Sequence, residues 1–195
     1  MLNSSSLEIT GRVAGGKLSG DAYDIVDTKT GHVAAVAVER VSRLARIFRV
    51  VLGREVFPAR LVISEPEYSG GAEIFSIFKS AIFGFRFRVR DTVGRNLGLI
   101  HRPFISLGKK LIVRDERGRK IAEASGSWTT GVFELKDLQG QGGGTIERKS
   151  TCKVNGRGIW GNEAEHIYLL VSAAFAVEII MDCREESSQQ SDYVR

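Results

Sequence analysis

HIYLLVSAAFAVEII, residues His166 to Ile180, is the longest nearly unbroken apolar run in the chain. It contains no Pro and no Gly, and its Ala, Leu and Met neighbourhood favours helix. Between Ile167 and Val177 the only weakly polar side chains are Tyr168 and Ser172, so a helix here is apolar on every side. Such a helix must be surrounded by lipid or by protein. A bilayer span takes about 20 apolar residues. Glu178 interrupts this run earlier, and Asp182, Arg184, Glu185 and Glu186 close it. The stretch therefore reads as a buried helix wrapped by the rest of the chain.

The wrapper is legible upstream. LEITGRV, from Leu7 to Val13, alternates apolar and polar residues as a half-buried strand does. YDIVD, TKTG and HVAAVAVE then read as a hairpin. Its grammar returns in FRFRVRD-TVG-RNLGLIHR, in KKLIVRD-ERG-RKIAEAS and in VFELKD-LQG. Each copy places Asp before the turn (Asp91, Asp115, Asp137) and Gly after it (Gly94, Gly118, Gly140). Asp can accept hydrogen bonds from the N–H groups ahead of it, and Gly adopts the left-handed conformation of a bulged hairpin. Repeated hairpins make a meandering antiparallel sheet. With one all-apolar helix at the end, the economical arrangement is a closed barrel with the helix in its lumen, because closure removes the edge strands and the helix supplies a core.

Other stretches read less simply. VERVSRLARIFRVVLGREVF carries Val41, Leu44, Ala45, Phe48, Val51 and Leu52 at helical spacing, with Arg40, Arg43, Arg46, Arg49 and Arg54 on the remaining circumference. This predicts a basic amphipathic helix outside the barrel, ended by Gly53. Its apolar face either inserts into an anionic membrane or packs on the barrel, the usual fate of such a helix. In both cases the arginines can reach lipid headgroups. PARLVIS, from Pro58 to Ser64, is a predicted strand and EPEYSGGAE a loop; IFSIFKSAIFGF fits either strand–turn–strand or a short helix. GQGGGTIERKS predicts a flexible hinge and then a strand reaching Cys152. Asn162 and Glu165 form a capping-box pattern ahead of the apolar helix.

The 195 residues fit one domain. The predicted organisation is a disordered tail over 1–6, one barrel domain over 7–183 and a polar tail over 184–195. A hydrophobic content of 43% is ordinary for a globular protein, and 22 Gly against 3 Pro points to turns rather than disorder. A net charge of +5 allows attraction to anionic lipid, nucleic acid or acidic protein and specifies none of them. Cys152 and Cys183 have no metal-ligand spacing and read as free thiols in a reducing compartment. The N-terminus lacks a basic segment followed by an apolar one, so no signal peptide is expected.

Catalytic chemistry finds little support. GRVAGGKLS nearly fits a phosphate-binding loop, but Leu18 stands where the magnesium-binding hydroxyl should be, and a strand follows instead of a helix. QGQGGGT could cradle phosphate through backbone N–H groups, yet no Lys or helix start follows in register, and a mobile connector is the better reading. His32, His101 and His166 are scattered, and no nucleophile elbow is present. The expectation is a chain with no catalytic residues, no metal site and no cofactor. Glu178 is the oddity. A carboxylate inside a barrel must find donors or take up a proton. It is either a proton- or ligand-responsive group or, the preferred reading, an acid near the barrel mouth bonded to strand N–H groups or an Arg.

With these residues in view, the chain resembles the tubby C-terminal-like superfamily, and within it the phospholipid-scramblase-related and LURP-one-related proteins. The likeness runs from about Tyr23 to Asp182. It rests on Tyr23, Ile25, Asp27 and Gly31 of the first hairpin, and on the series FRFRVRDTVGRNLGLIHRPF, KKLIVRDERGRKIAEASGSW and GVFELKDLQG with Arg102, Pro103, Trp128 and Phe133 at matching places. The terminal apolar helix with Glu178 completes it. The resemblance implies a mainly β (α+β) fold, an antiparallel barrel of about twelve strands enclosing the C-terminal helix. It also implies a non-catalytic, cytoplasmic protein, peripheral at the inner face of the membrane, that binds anionic phospholipids or phosphoinositides. Arg40, Arg43, Arg46 and Arg49 are the expected lipid contacts. The cysteine cluster and the acidic calcium segment of animal scramblases are missing, which argues against calcium-triggered scrambling. The alternatives are a scaffold module that takes a protein partner, and a scramblase whose terminal helix inserts into the membrane. No specific nucleic-acid partner is expected.

Overall fold

The computed structural model describes residues 4, 6–12, 22–40, 58–67, 70–80, 85–103, 110–140, 142–156 and a helix over 164–192, with the helix side chains from 166 to 182. Twelve strands appear in chain order: β1 (Ser6–Arg12), β2 (Ala22–Asp27), β3 (Val33–Arg40), β4 (Ala59–Ser64), β5 (Glu73–Lys79), β6 (Arg86–Asp91), β7 (Asn96–His101), β8 (Lys110–Asp115), β9 (Lys120–Ser127), β10 (Val132–Lys136), β11 (Gly142–Arg148) and β12 (Cys152–Gly156). Each pairs antiparallel with its sequence neighbours, and β1 pairs with β12, so the sheet closes. One helix, α1 (Ala164–Asp192), follows.

Strand direction alternates, so the connections sort to two ends. The hairpins β2–β3, β4–β5, β6–β7, β8–β9 and β10–β11 turn at one end; the β9–β10 and β11–β12 turns lie at the other, here called the far end. The short hairpins carry the predicted chemistry. Asp91 Oδ1 accepts from the N–H groups of Val93 at 3.1 Å and Arg95 at 2.7 Å. Asp115 Oδ1 accepts likewise from Arg117 at 3.0 Å and Arg119 at 2.8 Å. Gly94 and Gly118 follow with φ of 85° and 77°, and the ladder shifts register beside each turn. Without a Cβ, glycine takes this left-handed conformation at little steric cost.

The period-2 pattern turns Ile25, Ala35, Ile63, Phe75, Phe87, Val89, Ile100, Val113, Leu135 and Val154 inward, all essentially without solvent contact. α1 fills the space between them. Tyr168 stacks on Phe75 of β5 at 4.6 Å between ring centroids, and Phe175 meets Tyr23 of β2 edge-on at 5.3 Å. A Cβ on Gly98 of β7 would fall 2.7 Å from Leu169 Cδ2, and one on Gly156 of β12 would fall 2.5 Å from Leu170 Cδ2. Ala173, Ala174 and Ala176 keep the helix slim and are fully buried. α1 follows β12 from the short-hairpin end and reaches the far end at Met181, whose methyl lies 3.3 Å from the position a Cβ on Gly131 would take.

Three expectations change, and between the two alternatives for IFSIFKSAIFGF a strand is found in its first part. Arg40 closes β3, paired in register with Arg60, instead of opening a helix, because the ladder to β4 extends that far. The GGGT of the expected hinge, Gly142 to Thr145, lies in β11, where Gly144 and Thr145 align with both β10 and β12 and Gly142 with β10, so this stretch is laid into the sheet. In IFSIFKSAIFGF, the first part completes β5; residues 81–84 are outside the described set. The helix runs through the predicted polar tail to Asp192, since Arg, Glu, Ser and Gln do not stop a helix in the absence of Gly or Pro. The expected outer basic helix with Arg43, Arg46 and Arg49, the Asn162 cap and the GRVAGGKLS loop beyond Arg12 lie outside the described residues.

Candidate functional site

The outward side of β4 to β8 collects arginines. Arg86, Arg88 and Arg90 occupy alternate positions of β6, opposite the inward Phe87 and Val89, and so stand ~7 Å apart along one face. Register places Arg60, Phe78, Arg88, Leu99 and Arg114 in one row across β4, β5, β6, β7 and β8, and Arg40 continues that row on β3.

Phe78 organises part of this face. The Arg60 guanidinium lies 5.1 Å and that of Arg90 5.0 Å from its ring centroid, close enough for cation–π attraction, which aligns two cations that would otherwise repel. Glu73 bonds Arg60 Nη2 at 2.9 Å. Arg86 and Arg88 are exposed, and among the described residues neither has an ion-pair partner. Such a surface holds counterions that an anionic partner releases on binding.

On the far side of β6, His101 of β7 sits opposite Arg86. Arg114 Nε–H donates to His101 Nε2 at 3.2 Å, which requires that nitrogen to be unprotonated. Arg114 Nη1 donates to the Gly118 carbonyl at 2.8 Å, which fixes the guanidinium. Burial pushes the His101 pKa below its ordinary value of 6.5, and the Arg114 and Arg86 charges push it further down. Glu123 of β9 is held by Lys110 at 2.7 Å and Lys120 at 2.8 Å, and these two lysines lower its pKa.

Compared with known protein families and with curated proteins, the chain matches none.

Glu178 and Asp182, one turn apart on α1, both face Arg148 at the end of β11. The Arg148 Nε lies 3.4 Å from Glu178 Oε2, and Nη2 lies 2.6 Å from Asp182 Oδ1. The Arg148 and Glu178 side chains are only 14% and 15% exposed, so water screens this ion pair little. Cys152 is a free thiol, its Sγ 3.7 Å from the Ala174 carbonyl, and its pKa is pushed up, first by burial and then by Glu178. A neutral, enclosed thiol is a poor nucleophile.

Of the arginines expected to touch lipid, only Arg40 lies within the described residues; it is exposed at the end of β3 and adjoins the face just described. The alternation R-x-R-x-R in FRFRVRD is the signal that points to Arg86, Arg88 and Arg90, because a strand puts all three on one side. Arg60, Arg114 and His101 carry no such local signal; strand pairing alone brings them beside the other three. Among the described residues no group of three or more His, Cys, Asp and Glu side chains could hold a metal ion, and no helix is long and apolar enough to cross a membrane.

Proposed function

We propose that this chain is a non-catalytic barrel module of the tubby-like and scramblase-related kind, peripheral to membranes, that binds anionic phospholipid or phosphoinositide headgroups through the outer face of β4–β8. The observation that carries this reading is the single-sided set of Arg60, Arg86, Arg88, Arg90 and Arg114. Guanidinium groups match the oxygens of phosphate in pairs, and a sheet face holds them at fixed spacing. The closed barrel and its enclosed helix agree with the superfamily that the sequence resembles. Arg40, at the end of β3, adjoins the same face.

Among the described residues the apolar surface gives a protein partner less to hold: the large exposed apolar residues Val38, Val93, Val132 and Leu138 are dispersed over β3, β10 and two turns. A scrambling role would require α1 to leave a lumen in which Leu169 to Val177 are buried. Co-sedimentation with vesicles tests the proposal. At low salt the chain should pellet with phosphatidylglycerol-containing vesicles and stay in solution with pure phosphatidylcholine. Arg88→Glu, on an exposed side chain, should weaken pelleting and leave thermal stability unchanged. Equal partitioning to both kinds of vesicle would falsify the lipid reading.

A further inference from the structure

The basic face is not uniform. Arg60 and Arg90 flank an aromatic ring, whereas Arg86 and Arg114 flank an imidazole. We propose that Arg86, His101 and Arg114 form a subsite for the phosphate oxyanion of a lipid headgroup, and that filling it is coupled to uptake of one proton by His101. The inference rests on the membrane-binding reading above and adds the subsite and its proton linkage.

The argument is electrostatic. In the free protein His101 Nε2 serves as an acceptor for Arg114 Nε–H, so the ring is held neutral between two permanent cations. The groups facing it are nearly all positive or apolar. Across β6 stand Arg86 opposite and Arg88 diagonally; across β8 stand Ile112 opposite, with Lys110 and Arg114 on either side. On β7 itself Leu99 shares the outer face and Arg102 is the next residue. Glu123, the acid beyond Ile112 on β9, is taken by Lys110 and Lys120.

An oxyanion seated between Arg86 and Arg114 reverses this field. It supplies acceptors for the Arg114 Nε–H, which releases Nε2. It also offers an acceptor for a protonated Nε2–H. The proton comes from solvent, and no covalent bond changes. His101 therefore has a higher proton affinity in the bound state than in the free state. Binding then strengthens as pH falls through the bound-state pKa and levels off below the free-state pKa. Each unit by which the anion raises that pKa makes binding about tenfold tighter at low pH.

The test uses the full chain and phosphatidylglycerol vesicles, whose phosphodiester charge is constant over the range. Partitioning should rise about tenfold from about pH 7.5 to about pH 5.5. In His101→Gln, which keeps an acceptor for Arg114 but cannot titrate, the same change should be below about twofold. A second measurement needs no variant: the His101 ring resonance, followed against pH by NMR, should titrate below the free-histidine range alone and move upward with vesicles or with inorganic sulfate. Vesicle binding with no pH dependence, with the same dependence in His101→Gln, or without an upward His101 shift overturns the inference and leaves the membrane reading standing. An upward shift with sulfate but no vesicle binding supports the subsite and overturns the membrane source. No vesicle binding and no shift with either anion overturns both.

Discussion

Arg148 shows what one side chain does at the far end of the barrel. It reaches Glu178 and Asp182 together, so the last turn of α1 inside the lumen is tied to β11 by opposite charge as well as by apolar contact. Replacing it by Met keeps most of the stem but leaves two carboxylates in a poorly solvated place. Arg148→Met should lower unfolding stability by about 3 kcal/mol, read from urea denaturation, and Glu178→Gln should cost less because Arg148 keeps its hydrogen bond to Asp182. A larger loss for Glu178→Gln than for Arg148→Met would show that the carboxylate matters apart from this pair. Cys152, enclosed between β12 and α1, should resist alkylation in the native chain and react only after denaturant is added, as peptide mass spectrometry would read directly.

Hairpins and helix packing answer to different physics at the scale of the element. Gly94 has open space around it, and its cost of substitution comes only from the left-handed φ. Gly98 has ordinary φ but lies under Leu169 and beside the Arg114 carbonyl. Gly94→Ala should therefore cost about 1 kcal/mol, while Gly98→Ala should cost about 3 kcal/mol by displacing α1; calorimetry on the two variants separates strain from overpacking. The turn carboxylates also set the acid limit. Partial desolvation would raise the pKa of Asp91 and Asp115, but hydrogen bonds from Arg95 and Arg119, side chain and backbone, outweigh it and hold both below 3.8. The stability they contribute is complete above the unfolded value of 3.8 and is lost as pH falls through the lower folded values. The double variant Asp91→Asn, Asp115→Asn should thus show a shallower loss of stability below about pH 4 than the parent chain. These turns were legible because an Asx turn needs only residues within four positions, all supplied locally.

For the whole molecule, closure turns separated segments into one face. Arg60 and Arg114 are distant in sequence, yet two ladders on each side of β6 bring them into register with Arg88. If that face binds anionic lipid, affinity should fall steeply as salt rises through the range in which the Debye length drops from ~30 to ~8 Å, and Arg86→Glu together with Arg88→Glu should flatten the salt dependence. Vesicle titrations at two salt concentrations measure both; a binding curve indifferent to salt would place the contact elsewhere.

The chain's own sequence was enough to specify the alternating strands of the first, third and fourth hairpins, the Asp-x-x-Gly turns and the burial of the terminal helix. These depend on periods of two and 3.6 residues and on turn chemistry within four residues. Only the tertiary structure decided that Gly142 to Thr145 belong to a strand, that Arg40 belongs to a ladder with Arg60, and that His101 stands between Arg86 and Arg114. Each of those depends on which strand lies alongside and in what register, a non-local choice made when twelve strands close around one helix.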